Sequence, residues 1–527
     1  MSKPFYITTA IDYVNGQPHL GHAYEKIITD VIARARRSLG EPVFFLTGLD
    51  EHGQKVQQAA IRENKAPQTY CDELAADWKS FAGTLHLTND DFVRTTEARH
   101  KQTVQAILAK LHAAGHFYQS EYRGFYSQKE ETFLTEKDRQ PDGKFDPSYG
   151  EVVELVENNY YFKLKDHQQW LIDYIEANPE FIQPDYRRNE VLGFLKNNTL
   201  EDLCITRPAS RLNWGIPLPF DPAYVTYVWF DALVNYITVP AALGDPTVTQ
   251  ALSDSQLSTR SPQLDLWPAD IHVIGKDILK FHAVYWPIML KAMGLPLPKQ
   301  LLVHGWWQKD GAKISKSTGN IVEPLKVIAE WGVDAFRFYV VRELDIGPDG
   351  NWTDEGFAAR YQAELANGLG NLVNRSLSML KRYRGGIVPD SPQALGLGNL
   401  RPAAEKAAND MVRDIKNCWL QGALGNIWGL ITEANQYVDQ TAPFKLAKDP
   451  AQAARLDEVL YNLVETCRVL AVLLWPFIPG TSEKIYAQLG LKDSPAKFSE
   501  AAWGKLAAGH TIGEPAALFP RKDLVPK

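Results

Sequence analysis

Two short clusters of imidazole and ammonium side chains stand out in this chain of 527 residues. In His19-Leu20-Gly21-His22 the two imidazoles are three residues apart, so they share one face of a first helical turn. A helix start presents unpaired backbone N–H groups and the positive end of the dipole. Imidazoles placed there suit phosphate oxygens that gain charge in a transition state. Gly21 leaves room for a bulky ligand to approach the backbone. The second cluster, Lys313-Ile314-Ser315-Lys316-Ser317, sets lysines around a serine in a loop. That pattern suits a triphosphate and the charge passing to a pyrophosphate leaving group. Alone, HLGH reads equally as a pair of surface histidines, and KISKS reads more readily as a solvated basic loop. Together, each following a strand of one α/β pattern, they point to nucleotide chemistry.

The elements that must position them follow from periodicity. Phe5 to Ala10 reads as a buried strand, and a helix begins near His19. Ile27, Ile28, Val31, Ile32, Ala35 and Leu39 recur at helical spacing, and Gly40 is a helix stop. Pro42 to Gly48 is a second strand, and helical text resumes from Gln54 to Glu63. Strand, helix and strand in this order predict a βαβ unit and a parallel sheet. Residues 116–220 break the rhythm with Tyr, Glu, Asp and Asn and with turns such as PDGKFDP, so they read as an insertion. Further strands are expected at Tyr224 to Trp229, Asp270 to Ile274 and Gln300 to His304. From about residue 356 the text is almost wholly helical, which predicts a C-terminal helical domain, and 491–527 read as a polar tail.

Bulk composition narrows the class. Hydrophobic residues make up 45% and charged residues 23%, as in a soluble globular protein with a sizeable core. The net charge of -7 makes any RNA contact depend on local basic patches. Four cysteines, none near another in sequence, suggest neither a disulfide framework nor a zinc knuckle and fit a reducing cytosol. The N-terminus lacks a signal-peptide pattern, and the most apolar run, Val469 to Ile478, is too short to span a bilayer. A cytoplasmic protein with no membrane partner is expected.

With these motifs the chain resembles the class I aminoacyl-tRNA synthetases, whose HIGH and KMSKS motifs HLGH and KISKS match closely. Further blocks are similar to the methionyl family in that family's order. They are Ala10 to His22, Thr47 to Lys55 (TGLDEHGQK beside the family's TGTDEHGQK), Tyr227 to Tyr236 and Gly275 to His282. The resemblance covers nearly the whole chain. It implies a Rossmann-like parallel-sheet catalytic domain with an insertion, then an all-α anticodon-binding domain. It also implies ATP, as its Mg²⁺ complex, methionine and tRNA(Met) as substrates. His19, His22, Lys313, Lys316 and Arg207 would serve catalysis, and His19, Gly21, His22, Lys276, Asp277 and Lys316 would bind ATP. Asp50 would take the methionine ammonium. Ile11, Tyr13, Trp229, Ala232, Leu233, Tyr236, Ile278 and His282 would line the rest of the methionine site, whose aromatic edges suit a polarizable thioether. A missing methylene is worth only about 1–3 kcal/mol in such a pocket, so rejection of homocysteine by shape alone is expected to be imperfect. Read without the surrounding blocks, the same aromatics are ordinary core residues and Asp50 a turn residue.

Asn371 and Arg375, one turn apart on a predicted helix, and Phe444 would read the anticodon; Phe444 stands where the family usually has tryptophan. It can stack on a base but lacks the indole donor. Lys381, Arg382 and Arg384 read as a solvated helix end, with RNA contact as the alternative. Many relatives carry zinc-binding cysteines in the insertion, but the corresponding stretch from Phe125 to Glu151 has none, so no structural zinc is expected. The extra C-terminal domain of some relatives is not expected here, and a monomer is expected. The expected boundaries are 1–115 and 221–320 for the two catalytic halves and 116–220 for the insertion. They continue with 321–355 for a stem-contact region, 356–490 for the anticodon domain and 491–527 for a tail packed back on the body. Another class I synthetase, a non-catalytic tRNA-binding paralogue and a small nucleotidyltransferase remain as rivals. A larger editing insertion, loss of HLGH, KISKS, Asp50 or Asp277, or absence of an anticodon domain would mark them.

Overall fold

The computed structural model describes residues 3–14, 16–127, 132–134, 136–252, 264–313, 321–390 and 400–522. The chain divides into two compact units. The first comprises Met1–Gln17, Phe44–Ser80 and Asn89–Val303; the second comprises Pro18–Val43, Phe81–Thr88 and His304–Lys527.

The first unit is built on a parallel sheet. Its strands are β1 (Phe5–Thr9), β2 (Asp12–Tyr13), β3 (Val43–Asp50) and β4 (Asp91–Arg94), with Ile182–Gln183, Ile271–Gly275 and Gln300–His304. The order is β2, β3, β1, then 271–275, 300–304 and 182–183, with β4 also paired to β3. β1 runs parallel to 271–275 with Ile7 opposite Ile271, and β2 runs parallel to β3 with Tyr13 opposite Asp50. The 271–275 strand is buried throughout and β1 from its second residue onward, as expected of strands covered on both faces. Helix Ala98–Ala113 contributes Val104, Ile107, Leu108 and Leu111, spaced at helical intervals, to a core shared with Phe162, Trp267 and Trp286.

The insertion carries a long antiparallel pair, Phe117–Ser127 with Val152–Phe162, and helices Gln168–Ala177 and Asp185–Asn197. Between those helices the short strand Ile182–Gln183 pairs with Leu301 and Leu302 of the parallel sheet. Two residues are too few for periodicity to reveal, so sequence reading missed this strand. The expected strand Tyr224 to Trp229 is a correction. Only Tyr224–Thr226 is strand, paired antiparallel with Thr206–Pro208, and Val228–Leu233 is helix. A short apolar run reads alike as a buried strand and as a buried helix, and here the chain turns after Thr226.

The second unit is helical. Its first helix, α1 (Leu20–Ser38), ends at Leu39, with Gly40 at φ +86° beyond it. Helix Asp354–Arg360 continues through a π-helical stretch, Tyr361–Gly370, into Asn371–Arg384. Helices Arg401–Lys416, Leu420–Thr441, Ala453–Leu474 and Pro479–Gln488 follow. Ala453–Leu474 is buried without interruption from Glu458, so its apolar run is a bundle core. No helix among the described residues is long and apolar enough to cross a membrane. Segment 498–506 folds back onto this helix. Glu465 accepts the N–H groups of Gly504 (2.7 Å), Lys505 (3.1 Å) and Leu506 (3.2 Å), and Arg468 grips both of its oxygens. A small sheet sets Trp307–Lys309 parallel to Gly350–Trp352 and antiparallel to Ala312–Lys313.

Candidate active site

In the second unit, HLGH forms the start of α1. Gly21 N–H donates to His19 Nδ1 and His19 N–H donates to His22 Nδ1, each at 3.1 Å, so the two imidazoles form a capping box. A ring nitrogen that accepts a backbone N–H carries no hydrogen. Both neutral rings therefore hold theirs on Nε2. The rings stack at 3.6 Å and 23°. A Cβ at residue 21 would lie 3.0 Å from His19 Cε1, so Gly21 makes space for the His19 ring to fold back. Farther along α1, Glu25 Oε2 lies 3.1 Å from His304 Nε2, and His304 Nδ1 lies 2.8 Å from the Gly305 carbonyl. Both groups are buried.

In the first unit, the sheet register brings Tyr13 beside Asp50 at the end of β3, and Asp50 is buried. Lys55 Nζ lies 5.8 Å from the centre of the Tyr13 ring. Ile11 and Ile278 pack on the rim of one hydrophobic core, in which Leu233 and Tyr236 are buried. Ala232 is also buried, one position before Leu233 on helix 228–233. Trp229 stacks on Phe281 at 3.7 Å and 7°. His282 Nδ1 lies 2.9 Å from the Ile278 carbonyl, which can only accept, so Nδ1 carries the hydrogen. Nε2 is then an acceptor, and the Tyr236 hydroxyl donates to it at 2.7 Å. Behind them His272 stacks on Tyr236 at 4.0 Å and lies 2.8 Å from the Thr8 hydroxyl. Burial, reinforced by His282, holds His272 well below the usual imidazole range, so it is neutral.

Sequence reasoning missed a polar centre between these groups. The carboxylate of Asp231 is wholly buried and meets His52 Nδ1 at 2.6 Å and His100 Nε2 at 2.7 Å. Burial alone would raise its pKa; the two imidazoles outweigh that and pull it down to about 2. Glu51, next to Asp50, is pushed above the usual carboxylate range by burial, although Arg94 and Thr96 donate to it. Phe281 was missed as well. The block that contains His282 also contains Phe281, and that adjacency was the available signal.

The other candidates are placed differently. Lys276 and Asp277 open a 3₁₀ turn after strand 271–275, with Asp277 exposed. Arg207 is buried over the Tyr227 ring at 4.6 Å and donates to the Thr206 carbonyl at 2.7 Å. Lys316 lies outside the described residues, and Lys313 is described only as backbone of the strand Ala312–Lys313. Asn371 begins its helix, and Arg375 pairs with Asp439 at 3.1 Å. Phe444 is 48% exposed in the short helix Pro443–Leu446, just beyond Thr441, where the helix bearing Asp439 ends. Lys381 pairs with Glu514 and Arg384 with Asp457, which favours the helix-end reading of that basic cluster. No group of three or more His, Cys, Asp or Glu among the described residues is arranged to hold a metal ion.

Comparison with known proteins agrees over the full length. The profile of the family described as tRNA synthetases class I (M) matches residues 5–150 and 148–377. That of the anticodon binding domain of methionyl tRNA ligase matches 406–523. The methionine–tRNA ligase of Bacillus subtilis is 42% identical over 99% of this chain and 78% of its own length. That of Rickettsia felis is 42% identical over 99% of both chains. The structure of Mycobacterium tuberculosis methionyl-tRNA synthetase in complex with methionyl-adenylate superimposes with a TM-score of 0.89. It has 37% sequence identity and covers 99% of this chain and 100% of that one. The chain therefore belongs to the methionyl family of class I aminoacyl-tRNA synthetases, the ligases that use ATP to activate methionine and join it to its tRNA.

Proposed function

We propose that Asp50 and the aromatic pocket hold methionine while the HLGH and KISKS lysine and histidine groups act on ATP. The observation that carries this is the register of β2 and β3, which sets the buried Asp50 carboxylate beside Tyr13 at the strand ends. Ligands of open α/β sheets bind at such carboxyl ends. In the first step a methionine carboxylate oxygen bonds to the α-phosphorus of Mg²⁺-ATP, the bond to the bridging oxygen breaks, and pyrophosphate leaves. In the second the terminal ribose hydroxyl oxygen of tRNA(Met) bonds to the activated carbonyl carbon, the bond from that carbon to the AMP phosphate oxygen breaks, and AMP leaves with the hydroxyl proton taken up by its phosphate. No covalent enzyme intermediate is required, so the protein contributes position and charge.

From the first unit, Asp50 takes the methionine ammonium, and Ile11, Tyr13, Trp229, Ala232, Leu233, Tyr236, Ile278 and His282 enclose the side chain. Lys276 and Asp277 serve the nucleotide, and Arg207 the reacting carboxylate. From the second unit, His19 and His22 direct Nε2–H donors to phosphate oxygens; the capping hydrogen bonds on Nδ1 support that assignment. Lys313 and Lys316 offset charge on the departing pyrophosphate. Asn371, Arg375 and Phe444 contact the anticodon, Phe444 by stacking.

A zinc-free insertion is supported by Arg139, which lies 4.4 Å from the Phe125 ring centre and 4.6 Å from that of Phe145 and so staples the two aromatics. Four free, buried cysteines support a reducing cytosol. One chain carries every residue named, which supports a monomer, to be checked by light scattering.

The test is ATP–pyrophosphate exchange. Asp50→Asn should raise the methionine KM roughly a hundredfold and leave the ATP KM within threefold, since a charge-assisted partner is lost. Unchanged methionine binding in that variant refutes the assignment. Phe444→Ala should leave exchange intact and raise the tRNA KM about tenfold, the loss of one stacking contact.

A further inference from the structure

The roles above leave the buried centre around Asp231 without a function. His52 follows Asp50 by two residues at the end of β3. Asp231 lies between Trp229 and the Ala232–Leu233 pair on helix 228–233. His100, from helix Ala98–Ala113, meets the second carboxylate oxygen at 2.7 Å, and its Nδ1 lies 2.8 Å from the hydroxyl of Thr238, two residues beyond Tyr236. The segments bearing His52, Asp231 and Thr238 also carry residues assigned to methionine, while helix Ala98–Ala113 carries none and braces them through His100. The loop after Asp50 is held from other sides as well. Trp214 Nε1–H donates to the Glu51 carbonyl at 2.5 Å, Gly53 N–H donates to the Trp214 carbonyl at 3.2 Å, and Arg94 binds the Glu51 carboxylate at 2.7 Å.

Ordinary packing does not call for such a centre, because apolar residues of similar volume fill a core without the desolvation of a charge. An ionic centre that is fully paired fixes direction and distance, since each N–H must meet one oxygen. We infer that Asp231, through His52 and His100, is a positioning residue that sets the spacing between the ammonium-binding carboxylate of Asp50 and the pocket formed by Trp229, Leu233 and Tyr236. That spacing is the ruler for amino-acid length. The inference rests on the proposed methionine roles of Asp50 and Trp229.

The experiment uses the full-length enzyme in ATP–pyrophosphate exchange with methionine and with ethionine, one methylene longer. His52→Leu removes the N–H directed at Asp231. It should raise the methionine KM at least fivefold, hold the ATP KM within twofold, and cut the preference for methionine over ethionine at least threefold. His52→Asn, whose amide N–H can stand where Nδ1 stood, should restore both values to within twofold of the parent. If His52→Leu does not fold, His100→Leu paired with its amide counterpart His100→Gln makes the same comparison from the other oxygen. A methionine KM and a methionine-to-ethionine preference within twofold of the parent in the folded leucine variant overturn the inference, as does an equal rise in both KM values. Asp50→Asn is run alongside. Weakened methionine binding there with an unaffected His52→Leu sinks the ruler alone, whereas unaffected binding in Asp50→Asn sinks the underlying methionine assignment and the ruler with it.

Discussion

Asp30 in the second unit and Asp231 in the first are both entirely buried, yet they are neutralised by different chemistry. Asp30 receives Arg337 Nη2 and Arg34 Nε, both at 2.8 Å, together with the N–H and hydroxyl of Thr88. Arg337 spends its other donors on the carbonyls of Leu85 (2.9 Å), Pro476 (3.0 Å) and Phe477 (2.8 Å). It thereby ties α1, the helix that HLGH begins, to helix Val333–Arg342 and to the end of the bundle helix. Asp231 is held instead by two imidazoles, His52 and His100. Burial opposes ionisation at both sites, and the partners outweigh it at both, leaving each carboxyl below its usual range. The planar arginine fork reaches several oxygens at once and keeps its charge at every working pH, which suits a lock between helices. An imidazole presents one directed N–H per nitrogen and fits the shorter reach beside a small ligand.

The largest test of this contrast is Arg337→Met. It leaves Asp30 short of a partner and three carbonyls without their donor, so unfolding stability should fall by about 3–5 kcal/mol. A urea titration reads the loss, and a fall under about 1 kcal/mol would break the picture of Arg337 as a lock. Acid comes next. Asp231 has a folded pKa of about 2 against an ordinary 3.8, so its contribution is present above pH 4 and is lost as the pH falls through 2. The stability advantage of the parent over Asp231→Asn should shrink by roughly 2 kcal/mol across that window. An advantage that grew on acidification would reverse the assigned sign. The smallest effects come from Thr88→Val and Thr238→Val, which remove hydroxyls that also meet Arg37 and the Val234 carbonyl respectively, and each should cost about 1 kcal/mol of stability. Only Thr238→Val should also raise the methionine KM. If Thr88→Val does so equally, the two buried centres are not functionally distinct.

Much of the scaffold is legible in the residues. The alternation of buried strand and amphipathic helix from Phe5 to Arg62 is written in apolar spacing and in Gly40, and the structure has β1, α1, β3 and helix Gln54–Arg62 where that spacing places them. The Trp229 segment is not legible in this way, because its apolar run fits a buried strand and a buried helix equally. Strand Ile182–Gln183 escapes because its only signal is a partner distant in sequence. At the site, the three-residue spacing shows that His19 and His22 share a turn, but not that they cap the helix themselves and so direct hydrogens to Nε2. His52 stands inside a recognisable block, whereas its pairing with Asp231, 179 positions away, has no local signature.

The sequence by itself determined the family, the reaction and the order of sheet, insertion and helices, because those depend on local periodicity and on short motifs whose parts are neighbours in the chain. The tertiary structure alone decided which charges face each other in the interior. Asp30 and Asp231 are unremarkable letters until folding removes water from them. Only then does the cost of burial demand a partner, and only the packed geometry supplies Arg337 to one and two imidazoles to the other.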